Sequence, residues 1–97
     1  MKFEWNEQKK QKNILMKISF EEAAYVFSDL DAISLFDEEH SDNEERWITI
    51  GEIRTHGIIV VVHTERIKGE HEYIRIISAR KSEKNEEIEY INRKGGK

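Results

Sequence analysis

The sequence predicts an α+β domain: an antiparallel sheet of four to five strands, with two N-terminal helices and one C-terminal helix packed on it. Three observations lead there. Five β-branched residues run unbroken from Ile58 to Val62, the densest strand signal in the chain. Alternating stretches stand on either side of that run, joined by short connections that contain Gly57 and Gly69, the pattern of an antiparallel meander. Two helical stretches precede the meander and one follows it, so helices and strands are segregated along the chain. At 97 residues this is one domain, placed at 1–92, with 93–97 as a flexible tail ending in Gly95-Gly96-Lys97.

In chain order, Lys2 to Trp5 alternates, Phe3 and Trp5 on one side and Lys2 and Glu4 on the other, as a short strand does. Asn6 is a candidate N-cap. The helix behind it carries a narrow apolar stripe of Gln11, Ile14, Leu15 and Ile18, so it lies on the surface of something. Ser19-Phe20-Glu21-Glu22 is a capping box, and Phe20, Ala23, Ala24 and Phe27 form the apolar face of a second helix ending near Ser28 or Asp29. Ala32 to Phe36 is a short strand. Asp37 to Glu45 is an acidic loop.

Arg46 to Ile53 alternates, Ile48 and Ile50 opposing Trp47 and Thr49. Gly57, free to take positive φ, then leads into the β-branched run. With apolar side chains on both faces, that strand is covered on both and sits inside the sheet. It ends in His63-Thr64-Glu65-Arg66. Tyr73 to Ala79 is the last strand. By strict alternation Ile74, Ile76 and Arg80 share one side and Arg75 takes the other. Ser82 to about Asn92 is a weak helix that must dock to persist. The helices are expected on one face of the sheet.

Composition narrows the function. Without cysteine there is neither a disulfide framework nor a thiolate metal site. No apolar run approaches a membrane span and the N-terminus lacks a signal-peptide core, so a cytoplasmic protein with no membrane partner is expected. The net charge of −4 is uneven: residues 38–45 hold five acids and no Lys or Arg, while 46–81 carry +3. The acidic total counts against a nucleic-acid binder and the basic meander counts for one.

There is no Gly-rich phosphate loop, nucleophile elbow or His-Glu-x-x-His. The four histidines (His40, His56, His63, His71) lie in strands or loops without the helical pairing of a zinc motif. What remains is a set of strand-edge arginines, Arg46, Arg66, Arg75 and Arg80, whose planar forks match phosphate. Surface ion pairing is the ordinary alternative for each. In a meander Arg46 and Arg66 meet at one rim. The rim of Arg80 is left open between the opposite one and a return by twist.

Taken together, several blocks resemble the BrnT family of ribonuclease toxins. They are Phe3-Glu4-Trp5-Asn6 with Lys9 and Asn13; Ser19-Phe20-Glu21-Glu22-Ala23 with Val26-Phe27; and Asp37, His40 and Glu44-Glu45-Arg46-Trp47 with Ile50-Gly51. The strongest are Val60-Val61-Val62-His63-Thr64-Glu65-Arg66 and Ile74-Arg75-Ile76-Ile77-Ser78-Ala79-Arg80, followed by Glu86 and Tyr90. The chain departs from the family at Asn6, where Asp is usual, at Met16-Lys17-Ile18, where Lys-His-Gly is usual, and at His63, where Tyr is common.

The resemblance implies a RelE-like fold and metal-independent RNA cleavage with no cofactor, in which a 2′-hydroxyl attacks the adjacent phosphate. It implies Arg46, Arg66 and Arg80 as electrostatic stabilisers and His40 as proton carrier, with Tyr90 behind it. Lys9 would steer phosphate, and Thr64-Glu65-Arg66 would wall the site, with Glu65 in support. It also implies a BrnA-like antitoxin as partner, through which alone operator DNA is bound. A non-catalytic protein-binding module of the same fold is the alternative.

Overall fold

The computed structural model describes residues 1–10, 18–40 and 44–95. Strand β1 (Lys2–Trp5) is followed by helix α1, described over residues 7–10, then by α2 (Phe20–Ala23) and a 3₁₀ segment (Ala24–Ser28). Strand β2 (Ile33–Phe36), a 3₁₀ turn (Glu38–His40), β3 (Glu45–Ile53), β4 (Gly57–Lys68), β5 (His71–Lys81) and α3 (Lys84–Gly95) complete the chain. The strands form one sheet in the order β1-β5-β4-β3-β2. The chain is thus an α+β domain with a five-stranded sheet, and the β-branched run lies in its central strand.

Three expectations need correction. The sheet is mixed rather than antiparallel, because β1 pairs parallel to β5. Tight turns set the direction of β3 to β5, and β3 returns antiparallel to β2 after the connection 37–44. The long helical connection after β1 imposes no such constraint. Second, the helices take both faces, not one. The face of Ile59, Val61, Ile74, Ile76 and Ala79 packs on Phe20, Ala23 and Val26. The other face, through Ile33, Ile50 and Val60, packs on Tyr90 of α3. A strand that is apolar on both sides requires this arrangement.

Third, the helices are not two N-terminal ones and one C-terminal one. One starts near the N-terminus, one interior helix has a single α-turn tightening into 3₁₀, and one is C-terminal. Helix C-termini commonly tighten this way. The expected apolar stripe of the first helix, apart from Ile18, falls outside the described residues. Ile18 itself is buried beside Phe20.

Local signals fix the joints. Asn6 caps α1, its Oδ1 accepting from the Gln8 and Lys9 amides at 2.9 and 3.2 Å. The Ser19–Glu22 capping box is formed on both sides. Gly57, at φ 72°, ends the β3–β4 loop, and Gly69, at φ 61°, starts the two-residue β4–β5 turn. The turn is shorter than expected, so both strands run further. Helix α3 continues through Arg93 to Gly95, past the Asn92 end expected, and Lys94 reaches Glu52 at 3.7 Å.

Gly51 marks a close approach of the sheet to the 3₁₀ segment. A Cβ there would stand 2.6 Å from Val26 Cγ2 and 3.1 Å from Ala32 Cβ. Val26 is fully buried, so it has no room to yield. Gly51→Ala is expected to destabilise the protein by about 1–3 kcal/mol. The measurement is a lowered urea midpoint at unchanged m-value.

Candidate functional site

Helix α3 covers one end of its face of the sheet. The other end carries a cross-strand row set by the register: Arg46 of β3 opposite Thr64 of β4, Thr64 opposite Arg75 of β5, and Arg75 opposite Glu4 of β1. Arg66 lies two residues along β4 on the same face. Neighbouring strands are about 5 Å apart, so three guanidinium groups gather over a small area.

Carboxylates interleave with them. Arg66 Nη2 donates to Glu4 Oε1 at 2.7 Å, and Arg75 Nε lies 3.9 Å from the same oxygen. Arg75 Nη1 donates to Glu44 Oε1 at 3.5 Å. Arg46 Nε stands 3.8 Å from Asp37 Oδ2. The side chains of Arg46, Arg66 and Arg75 keep 31, 31 and 42 % of their surface exposed, so a ligand can reach them.

The same corner holds buried polar atoms without hydrogen-bond partners among the described residues: Glu44 Oε2, Thr64 Oγ1 and Arg66 Nε. Buried polar atoms are nearly always satisfied. Two more such atoms, Trp47 Nε1 and His63 Nδ1, lie on the opposite face, so what sets this corner apart is the three guanidinium forks beside the unpartnered atoms. Such a site can hold a phosphodiester, because each fork offers paired N–H donors with the spacing of phosphate oxygens.

The sequence candidates divide on this map. Arg46 and Arg66 meet at one rim, as the meander requires. Arg80 does not join them. It pairs with Val60, six residues from Arg66 along β4 and about 20 Å away at strand rise. Its guanidinium donates to both oxygens of Glu86 at 2.9 and 2.8 Å, and the bond raises the Arg80 pKa and lowers that of Glu86. Glu86 also accepts the Glu83 amide at 2.8 Å, so this pair ties the start of α3 to β5.

Strict alternation also put Arg80 on the side of Ile74 and Ile76, and this is corrected. The register shifts between Val62 and His63: Val62 opposes Ser78, and His63 opposes Ile76. Ile77 is the extra residue of a bulge, which reverses the alternation. Arg75 and Arg80 therefore share the α3 face at opposite ends.

Lys9, in the first turn of α1, lines a groove of about 320 Å³ with Glu4, Asn6 and Arg75, at the edge of the arginine cluster. Glu65 points to the opposite face by alternation. Partial burial, then Glu72 and Glu45, raise its pKa. Tyr90 is 2 % exposed and its hydroxyl donates to Asp29 Oδ2 at 2.6 Å; burial, then that bond, push its pKa far up. Tyr90 therefore sits in the core. His40 closes the 3₁₀ turn after Asp37, and its side chain lies outside the described residues. Among the described residues no three His, Cys, Asp or Glu groups gather to hold a metal ion.

Sequence reasoning missed Glu4, took Thr64 only as part of the Thr64-Glu65-Arg66 wall, and counted Arg75 among the strand-edge arginines without a part in the reaction. Alternation across Lys2 to Trp5 does separate Glu4 from Phe3 and Trp5. Its neighbour was not readable without the parallel pairing of β1 with β5.

The opposite face holds a polar chain under the 3₁₀ segment. Ser34 Oγ and Thr49 Oγ1 are 2.8 Å apart, and Thr49 Oγ1 lies 2.6 Å from His63 Nε2. His63 has no exposed surface and meets the Phe27 ring edge-on at 4.8 Å. Burial lowers its pKa to about 4, so it is neutral at physiological pH and is walled off from the arginine cluster by the sheet.

The family model for the ribonuclease toxin BrnT of type II toxin–antitoxin systems matches residues 5–86 of the chain. No curated protein matches it significantly. The matched span contains Arg46, Thr64, Arg66 and Arg75; Glu4 and Tyr90 fall outside it.

Proposed function

The chain belongs to the family of BrnT ribonuclease toxins of type II toxin–antitoxin systems, and on that premise we propose that it is a metal-independent endoribonuclease that arrests growth by inhibiting translation. The observation that supports this reading is the gathering of Arg46, Arg66 and Arg75 at the end of one sheet face that α3 leaves open, beside buried polar atoms without partners among the described residues. In RNA cleavage by the neighbouring 2′-hydroxyl, negative charge builds on the phosphoryl oxygens. Guanidinium groups fixed in advance at that point stabilise the transition state without reorganising.

In this proposal the forks of Arg66 and Arg75 hold the scissile phosphate, and Arg46 holds the oxygens on the β3 side. Lys9 draws the backbone of the RNA along the β1 edge. The phosphate displaces Glu44 from Arg75, a contact already long at 3.5 Å. Arg80 holds α3 on the sheet through Glu86, Tyr90 anchors the same helix, and Glu65 belongs to the opposite surface. The architecture is proposed to be RelE-like. The antitoxin that the family implies is proposed to be a BrnA-like protein that masks the arginine cluster and alone contacts operator DNA. No helix among the described residues is long and apolar enough to cross a membrane, which accords with action in the cytoplasm.

The test is induced expression without a partner, followed by assay of the purified protein. Growth arrest with RNA decay, relieved by the co-expressed antitoxin, and RNA cleavage retained in EDTA are expected. Harmless accumulation to high yield with no cleavage would favour the binding module. Cleavage abolished by EDTA would overturn metal independence.

A further inference from the structure

We infer that Glu4 is the general base of the cleavage reaction, taking the proton from the attacking 2′-hydroxyl; this rests on the ribonuclease reading above. A general base must reach the proton it removes, directly at about 2.6–3.2 Å or through one water. It must also stand beside the groups that hold the phosphate, because the 2′-oxygen adjoins the phosphorus it attacks. Glu4 stands beside those groups and is open to a substrate. Its backbone is fixed opposite Arg75 by the parallel pairing of β1 with β5. Its carboxylate lies 2.7 Å from Arg66 and 3.9 Å from Arg75, both contacts made through Oε1. Oε2 is left without a described donor, and the side chain keeps 33 % of its surface exposed.

The other described groups fit the role less well. Glu44 is the group that the phosphate displaces from Arg75, so it leaves as the substrate arrives. Asp37 lies beside Arg46 at the far side of the row. Glu65 and His63 belong to the opposite face, and His63 has no exposed surface. The Tyr90 hydroxyl is bonded to Asp29 within the core.

In the step, the O2′–H bond breaks and its proton passes to the Glu4 carboxylate. The O2′–P bond forms and the P–O5′ bond breaks. The departing 5′-oxygen takes a proton from solvent water. The products are a 2′,3′-cyclic phosphate and a 5′-hydroxyl, and Glu4 then returns its proton to water. Atoms and charge balance without a metal or a co-reactant. Arg66 keeps Glu4 in place before the reaction and stabilises the phosphoryl charge during it.

The test compares the wild type with Glu4→Gln and His40→Gln in single-turnover cleavage of an RNA. Binding is measured with the same strand carrying a 2′-deoxy substitution at the cleaved position. The amide keeps the shape of Glu4 and an acceptor for Arg66 but cannot take the proton. Glu4→Gln is expected to slow cleavage by about 10²-fold or more, with binding kept within about threefold; that retained binding also reports an intact fold. Cleavage within about threefold of wild type overturns the assignment. So does a parallel loss of cleavage and binding, or a loss seen only in His40→Gln. A wild type that binds RNA without cleaving it overturns the ribonuclease reading itself, and Glu4 with it. A cleaving wild type with an active Glu4→Gln variant overturns Glu4 alone.

Discussion

Arg66→Ala and Arg75→Ala are each expected to reduce RNA cleavage by about 10²–10³-fold, the usual cost of removing one fixed donor from a transition-state site. Arg80→Ala is expected to act differently, lowering thermal stability while the folded fraction cleaves at close to the wild-type rate. The contrast follows from placement. Arg66 and Arg75 flank Glu4 on the open end of the face. Arg80 lies at the other end with both terminal guanidinium nitrogens bonded to Glu86. The measurement pairs single-turnover rates with thermal unfolding for the three variants. A full loss of rate in Arg80→Ala, with Arg66→Ala and Arg75→Ala unaffected, would move the site to the start of α3.

Much of this frame is legible in the sequence, for identifiable reasons. Ile58 to Val62 is apolar at every position, so it had to lie inside the sheet and be covered twice. Short connections at Gly57 and Gly69 force the antiparallel order of the meander, which brings Arg46 and Arg66 to one rim. Ser19 and Glu22 announce the start of α2 because a capping box satisfies backbone donors locally.

What was not legible depends on distant or one-residue effects. The bulge at Ile77 adds a single residue, and nothing in Arg75-Ile76-Ile77-Ser78 announces it. Yet it decides which face Arg80 takes. The direction of β1 depends on where a long helical connection delivers it, and that is set by the packing of Trp5 against Phe20 and Phe3 against Phe27, at ring separations of 6.1 and 5.5 Å. Without that pairing Glu4 has no visible neighbour. The site was half readable for this reason: its β3 and β4 members follow from a hairpin, while its β5 and β1 members follow from a bulge and a crossover.

The second large effect concerns acid stability and belongs to His63. The unfolded chain binds a proton at this histidine near pH 6.5, and the folded chain only near 4. Between those values the unfolded state holds more protons, so stability rises with pH there. The contribution of His63 is complete above pH 6.5 and is lost as the pH falls toward 4. A drop from 6.5 to about 4 corresponds to about 3 kcal/mol, a large part of the stability of a domain this size. Glu65, the nearest carboxylate, stands 3.8 Å from Nδ1 with nearly half its surface in water. At that distance and exposure its charge is too weakened by solvent to offset the burial. Thr49 gives Nε2 a partner but carries no charge, and the Phe27 ring edge adds none. Urea unfolding at pH 7.5, 6 and 5 should therefore show a steep fall in stability. In His63→Tyr, which carries no group titrating in that range, the fall between pH 6.5 and 5 should flatten. An equally steep fall in His63→Tyr would assign the acid sensitivity to carboxylates such as Asp29, whose pKa is lowered in the folded state, and not to this buried imidazole.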